Sequence, residues 1–60
     1  MDSRSLIKLL EANGWELAPD RGKGDHRVFI KGGKHVTVPH PRKDIAKGTL
    51  HQILKDAGLK

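Results

Sequence analysis

Apolar residues in the first part of the chain recur at helical spacing. Residues 3–13 place four of them on one helical face: Leu6, Ile7, Leu9 and Leu10. This spacing predicts an amphipathic helix, with Ser3 or Asp2 as its N-cap. Gly14 follows Asn13, where a helix commonly ends in a left-handed residue. We therefore predict a helix that ends before Gly14.

Apolar and polar residues alternate in the middle of the chain, which predicts extended strands. "WELAP" places Trp15 and Leu17 on one side of a first strand. "DHRVFIK" and "KHVTVP" flank Gly32-Gly33, and glycine suits the positive φ angles of a two-residue hairpin turn. This turn sets the register of the hairpin: Lys31 opposite Lys34, Ile30 opposite His35, Phe29 opposite Val36, Val28 opposite Thr37, Arg27 opposite Val38 and His26 opposite Pro39.

The predicted register separates the hairpin into two faces, because paired residues share a face. One face carries Phe29, Val36 and Val38, and we expect it to form the core together with Trp15 and Leu17. The other face carries His26, Val28, Ile30, His35 and Thr37. We expect this second face to be open, with Val28 and Ile30 exposed. The alternative is the inverted arrangement, with His26 at the margin of the core.

A second helix is predicted over about residues 48–57, with Gly58 as its stop. Its apolar stripe consists of Leu50, Ile53, Leu54 and Ala57. The element order is then α-β-β-β-α. We predict a single α+β domain over residues 1–60, with two helices on one face of a three-stranded antiparallel sheet.

Composition narrows the class of protein. The 60 residues carry a formal charge of +5 and no cysteine, which excludes disulfides and thiolate metal sites. No apolar run reaches the roughly 18 residues that a membrane span needs. "MDSRSLIKLL" lacks the pattern of a secretory signal, so we expect a soluble cytoplasmic protein without a membrane partner. Basic residues dominate the middle of the chain, which predicts a surface that binds a polyanion such as nucleic acid; the alternative is charge that only keeps the protein soluble.

The sequence resembles the HicA family of toxin mRNA interferases along nearly its whole length. Four segments carry the resemblance: "LIKLLEANGW", the glycine-x-histidine of "GDH", "VTVPHPRKDIAKGTL" and "ILKDAGLK". The resemblance implies a double-stranded-RNA-binding-domain-like fold. It also implies cleavage of RNA without a metal or other cofactor and independently of the ribosome. A partner antitoxin of the HicB type is implied as the inhibitor.

The resemblance also implies which residues form the site. The key histidine of the family falls on His26, and its accompanying glycine falls on Gly24. The family often has serine between the two and further histidines after them. Asp25 and Arg27 occupy those places here.

An imidazole near neutrality can remove the proton of a ribose 2′-hydroxyl or protonate the leaving 5′-oxygen. We therefore interpret His26 as a general base or acid, with Arg21, Lys23 and Lys43 as nearby cations. Without the family resemblance, a surface histidine is the simpler interpretation. His40 is a candidate for a second proton-transfer group, and its alternative is a loop histidine held between two prolines.

"HPRKDIAKGTL" is the strongest predicted RNA-binding element. It places Arg42, Lys43 and Lys47 at the amino end of the second helix, where free N–H groups and the helix dipole favour phosphate. A metal site is not expected, because His26 and His35 lie about four strand positions apart, roughly 13 Å.

Exposed apolar residues commonly mark a partner surface. We therefore hypothesise that the antitoxin contacts His26, Val28 and Ile30 and masks the histidine. Two rivals to a nuclease remain: a non-catalytic RNA-binding module with the same basic surface, and a structural protein that binds only other proteins.

Overall fold

A computed structural model of the chain describes residues 1–19, 21 and 24–60. The elements follow in the order α1 (Ser3–Ala12), β1 (Glu16–Leu17), β2 (His26–Lys31), β3 (Lys34–Pro39) and α2 (Lys47–Asp56). The three strands form one antiparallel sheet with β2 in the centre. The predicted α-β-β-β-α architecture is confirmed. None of the described helices is long and apolar enough to cross a bilayer.

Helix α1 begins and ends where the sequence indicates. Asp2 is the N-cap, and its carboxylate accepts a hydrogen bond from the Ser5 N–H at 3.3 Å. This bond satisfies one of the N–H groups that the first helical turn leaves without an intrahelical partner. After the helix, Gly14 has a φ of +89°, so the chain reverses through a conformation that other residues rarely adopt.

The hairpin of β2 and β3 has the predicted register at every pair from Lys31 opposite Lys34 to His26 opposite Pro39. Gly32 and Gly33 both have positive φ, at 54° and 81°. These angles match the right-handed twist of the flanking strands. The turn therefore places His26 at the far end of the hairpin, beside the segment that leads into α2.

The core lies between the sheet and the two helices. It consists of eight buried residues: Leu6, Leu10, Trp15, Phe29, Val36, Val38, Ile45 and Ile53. Leu6 and Leu10 come from α1 and Ile53 from α2, so both helices cover the same face of the sheet. Ile45, in the segment before α2, was not among the predicted core residues, because it lies outside any periodic run.

Two predictions are wrong: that Val28 is exposed and that Leu17 is part of the core. Val28 is buried, with 8% of its surface exposed, although it lies on the face opposite Phe29. It occupies the middle of the central strand, and the Ala18 N–H continues the β1 ladder by donating to its carbonyl at 2.8 Å. Leu17 is 45% exposed and does not join the core, because β1 is a two-residue strand at the edge of the sheet. Ile30 is exposed, as expected.

Helix α2 begins at Lys47, one residue before the predicted start, and ends at Asp56. Ala46 is its N-cap and provides no side-chain hydrogen bond to the first turn. Gly58 follows the helix with a φ of +73°. The amino end of α2 is held near the end of the hairpin, because Ile45 anchors the preceding segment in the core.

Candidate functional site at the end of the hairpin

His26 is the first residue of β2, and its side chain is 52% exposed. It lies at the rim of a shallow groove between the end of the hairpin and the start of α2, lined also by Thr37, Pro39, Arg42, Asp44, Ile45, Ala46 and Thr49. Gly24, two residues earlier, turns into the strand with a φ of +57°. Because the exposed imidazole of His26 does not lie under the helices, the inverted arrangement of the two hairpin faces is excluded.

Asp25 connects His26 to Arg42. One carboxylate oxygen, Oδ1, lies 3.1 Å from Nδ1 of His26. The other oxygen, Oδ2, accepts a hydrogen bond from Nη2 of Arg42 at 2.9 Å. All three side chains are about half exposed. The imidazole and the guanidinium therefore share one carboxylate at the surface.

The ionised form of Asp25 is favoured in this arrangement. The hydrogen bond from Arg42 lowers the pKa of the Asp25 carboxyl group from its ordinary value of 3.8, and its own backbone N–H and the neighbouring His26 act in the same direction. Each of these groups stabilises the negative charge. Asp25 is therefore a carboxylate at neutral pH and can only accept hydrogen bonds.

Hydrogen bonds hold the segment that carries Arg42, residues 40–42, on both sides. The His40 N–H donates to the Asp25 carbonyl oxygen at 2.6 Å. On the other side, the Arg42 N–H donates to Oγ of Ser3 at 2.9 Å, and the Ser3 N–H donates to the Arg42 carbonyl at 2.9 Å. Ser3 is 1% exposed. These bonds fix the backbone of Arg42 between α1 and the end of the hairpin.

The His40 side chain belongs to this fastening and does not join His26. Its Nδ1 is hydrogen-bonded to Oγ of Ser3 at 2.7 Å. His40 lines a different surface from His26, together with Asp2, Ser3 and Arg4 of the α1 end. The geometry favours the alternative of a loop histidine with a structural role.

The predicted RNA-binding cations divide into two groups. Arg42, Lys43 and Lys47 are exposed in the first turn of α2 and the segment before it. Arg42 lines the groove beside His26, and Lys43 lines the neighbouring surface with His40. Arg21 instead lines a surface with Ile30 and His35 toward the hairpin turn, several strand positions from His26. A role of Arg21 beside His26 stays a prediction. Lys23 lies outside the described residues.

Two contacts of the site were not predicted from the sequence. Asp25 and Arg42 lie 17 positions apart in the sequence, so no pattern of neighbouring residues predicts their contact. The pairing of Ser3 with His40 spans 37 positions. Adjacency to His26 was the one available signal for Asp25. Arg27 turns back locally and donates to the Gly24 carbonyl at 3.0 Å, which steadies the turn before His26.

The site contains the groups needed for proton transfer beside an anion. An exposed imidazole can exchange a proton with a bound hydroxyl. A guanidinium and two lysines can stabilise negative charge on a phosphate. Within residues 1–19, 21 and 24–60, no three histidine, aspartate or glutamate side chains come together in a geometry that holds a metal ion.

Comparisons with known proteins agree with the fold. A family model described as "HicA toxin of bacterial toxin-antitoxin" matches residues 3–59. Among solved structures, the chain is similar to one in the "HicA3 and HicB3 toxin-antitoxin complex", with 45% sequence identity and a TM-score of 0.83. The match covers 100% of this chain and 97% of that chain. Comparison with curated protein sequences gives no significant match.

Proposed function

The chain belongs to the HicA family of bacterial toxins, and from this membership we propose that it is an mRNA interferase, an endoribonuclease that cleaves RNA without a metal ion. The observation that carries the proposal is the exposed imidazole of His26 at the rim of a groove, one carboxylate away from the guanidinium of Arg42.

The proposed reaction uses the 2′-hydroxyl of the RNA as its own nucleophile. His26 accepts the hydroxyl proton while the 2′-oxygen forms a bond to the neighbouring phosphorus. The bond from phosphorus to the 5′-oxygen breaks, and the imidazolium is then able to return the proton to that oxygen. Negative charge accumulates on the non-bridging phosphate oxygens, where the exposed N–H groups of Arg42 and the ammonium of Lys43 can stabilise it.

The surface around the amino end of α2 would position the RNA backbone. Lys43 and Lys47 are exposed on either side of the helix start, and Ala46 supplies no side-chain acceptor for the N–H groups there. Cations and free N–H groups at a helix start favour phosphate. Such contacts read the shape and charge of RNA, so they predict modest sequence preference.

An antitoxin of the HicB type is the proposed inhibitor, because the similar chain of known structure is described in a HicA3 and HicB3 complex. We expect the antitoxin to cover His26 together with the exposed side chain of Ile30, which lies on the same face of the sheet. Val28 is buried and offers little surface to a partner. Acidic groups of the antitoxin would complement the basic surface.

The first experiment measures cleavage of a defined RNA in excess chelator. We expect the native chain to cleave the RNA. His26→Ala should cleave it at least about 100-fold more slowly, because this is the smallest loss expected when one proton-transfer catalyst is removed. His51→Ala is the matched control, because His51 is exposed on α2 outside the site. Its activity should equal that of the native chain.

The same experiment separates the proposal from its rival. Full activity of His26→Ala contradicts the catalytic role of the histidine. Retention of RNA by the native chain without any cut product indicates a non-catalytic RNA-binding module. Absence of RNA affinity even at low salt indicates a protein that binds only other proteins.

Masking by the antitoxin is tested by chemical modification of His26 with diethylpyrocarbonate. We expect the imidazole to react in the free toxin and to be protected in the complex. An equal rate of modification in both states would contradict masking and leave the catalytic role untouched.

A further inference from the structure

We propose that Asp25 is a positioning residue that holds His26 in the tautomer with its proton on Nδ1, so that Nε2 faces the RNA as the proton acceptor; this inference deepens the proposed ribonuclease function and rests on it. The geometry behind it is the carboxylate of Asp25, with Oδ1 at 3.1 Å from Nδ1 of His26 and Oδ2 bonded to Arg42.

The charge of Asp25 determines which tautomer is favoured. A neutral imidazole has a lone pair on one ring nitrogen and a proton on the other. A lone pair on Nδ1 would face a carboxylate oxygen at 3.1 Å, and the two would repel each other. A proton on Nδ1 is attracted to the same oxygen. The carboxylate therefore favours Nδ1–H and leaves the lone pair on Nε2.

Arg42 determines how the carboxylate is oriented. Nη2 of Arg42 donates a hydrogen bond to Oδ2 of Asp25, and the backbone N–H of Arg42 donates to Oγ of Ser3. Oδ1 is thereby left to face the imidazole. Arg42 would thus act on the reaction in two ways, by holding Asp25 and by presenting its remaining N–H groups to phosphate.

Other charged groups near His26 do not take the place of Asp25. Arg27 lies beside it along the strand, and its Nη1 is bonded to the carbonyl oxygens of Gly24 and His26. Asp44 lines the same groove and is 86% exposed. Among the described residues, Asp25 is the carboxylate in contact with the His26 ring.

Replacement of Asp25 by asparagine gives the sharpest test. The single amide oxygen of Asn would accept from Arg42, which has only donors. Its NH₂ group would then face Nδ1 of His26 and favour a lone pair there, so the tautomer would reverse although the shape is unchanged. Asp25→Ala removes both contacts, and Asp44→Ala removes a carboxylate from the same groove without touching the ring.

The tautomer can be measured by long-range ¹H–¹⁵N correlation spectra of the protein alone, without RNA, at a pH of about 8, where imidazole side chains are mostly neutral. His26→Ala assigns the signal. We expect Nδ1–H in the native chain and in Asp44→Ala. We expect the Nε2–H form, which predominates in isolated imidazole side chains, in Asp25→Ala and Asp25→Asn.

The kinetic readout distinguishes positioning from a merely structural role. Asp25→Ala removes a negative charge near the RNA, so KM should fall while kcat falls about fivefold, in keeping with a half-exposed pair. Asp25→Asn should not rescue kcat. Loss of folded structure would instead lower kcat without lowering KM, and backbone amide spectra of each variant would show it.

An unchanged tautomer in both Asp25 variants overturns the inference, as does a native kcat in Asp25→Asn. The failure of the proposed function looks different. A native chain that cleaves no RNA contradicts the ribonuclease, while the tautomer spectra still decide whether Asp25 controls the ring of His26.

Discussion

Asp25 has two structural roles within one residue. Its side chain pairs with His26 and Arg42, and its carbonyl oxygen accepts from the His40 N–H. A backbone bond and a charge pair therefore link the start of β2 to the same three-residue segment. At this scale the contacts that join the parts of the candidate site come from the residue that precedes the histidine.

The stability of the protein should depend on pH through Asp25. The bond from Arg42 lowers the pKa of this carboxyl group in the folded state, so its contribution is complete above the unfolded pKa of about 3.9 and is lost as the pH falls through the lower folded pKa. Thermal unfolding of the native chain and of Asp25→Asn should differ by a constant amount above about pH 5, and the difference should shrink as the pH falls through the lowered folded-state pKa of Asp25. A difference that persists to the lowest pH would contradict the pairing.

Residue-scale contacts were the least predictable part of the site. Family resemblance predicted His26 and Gly24 as site residues, and the place at the amino end of a predicted helix pointed to Arg42, Lys43 and Lys47; their roles stay predictions. The partners of Asp25 and Ser3 could not be found in this way, because each contact joins residues from different elements. Such pairs form only when those separate parts of the chain have packed together.

The hairpin shows what local patterns can predict. Gly32-Gly33 and the alternation on either side determine the register, and every pair agrees with the structure. The same alternation predicted the burial of Val28 and of Leu17 wrongly. Burial there depends on strand length and on the position of each strand in the sheet, neither of which the alternation contains.

Two glycine replacements should have opposite effects on stability. Gly33 has a φ of +81° with open space around the place of a Cβ atom, so Gly33→Ala should cost about 1 kcal/mol through backbone strain alone. Gly48, in the first turn of α2, has equally open space and no positive φ. Gly48→Ala should therefore stabilise the protein by about 0.5 kcal/mol. Urea unfolding measures both, and equal effects would contradict the assigned turn.

The N-cap of α2 offers a matched pair of variants. Ala46 has the non-helical backbone of an N-cap, with φ −54° and ψ 140°, and no capping side chain. Ala46→Ser and Ala46→Asp should therefore each add about 1 kcal/mol of stability. Only Ala46→Asp places a negative charge at the proposed RNA surface, and it should weaken RNA binding severalfold. Equal RNA affinity of the two variants would place the RNA elsewhere on the molecule.

The core and the candidate functional site occupy different parts of the molecule. Both helices cover one face of the sheet, and the site lies at the end of the hairpin where α2 begins. The architecture was predictable because each element has a clear periodicity. The place of Arg21 beside Ile30 and His35 was not, because Arg21 lies outside any periodic element.

RNA affinity should depend steeply on salt, because the proposed contacts are to phosphate. Lys43→Ala and Lys47→Ala should each reduce the slope of log affinity against log salt by about 0.7 to 0.9. Lys55→Ala is the matched control, since Lys55 lies in the last turn of the same helix. If Lys43→Ala and Lys47→Ala had the same slope as Lys55→Ala, this result would contradict a phosphate surface at the start of α2.

The fastening of residues 40–42 has a consequence for heat inactivation. Arg42 is tied to α1 by Ser3 and to the hairpin by Asp25, so neither element can detach while the groove keeps its shape. The proposed ribonuclease activity should therefore disappear at the same temperature as the native fold, with no lower temperature range in which the chain is folded but inactive.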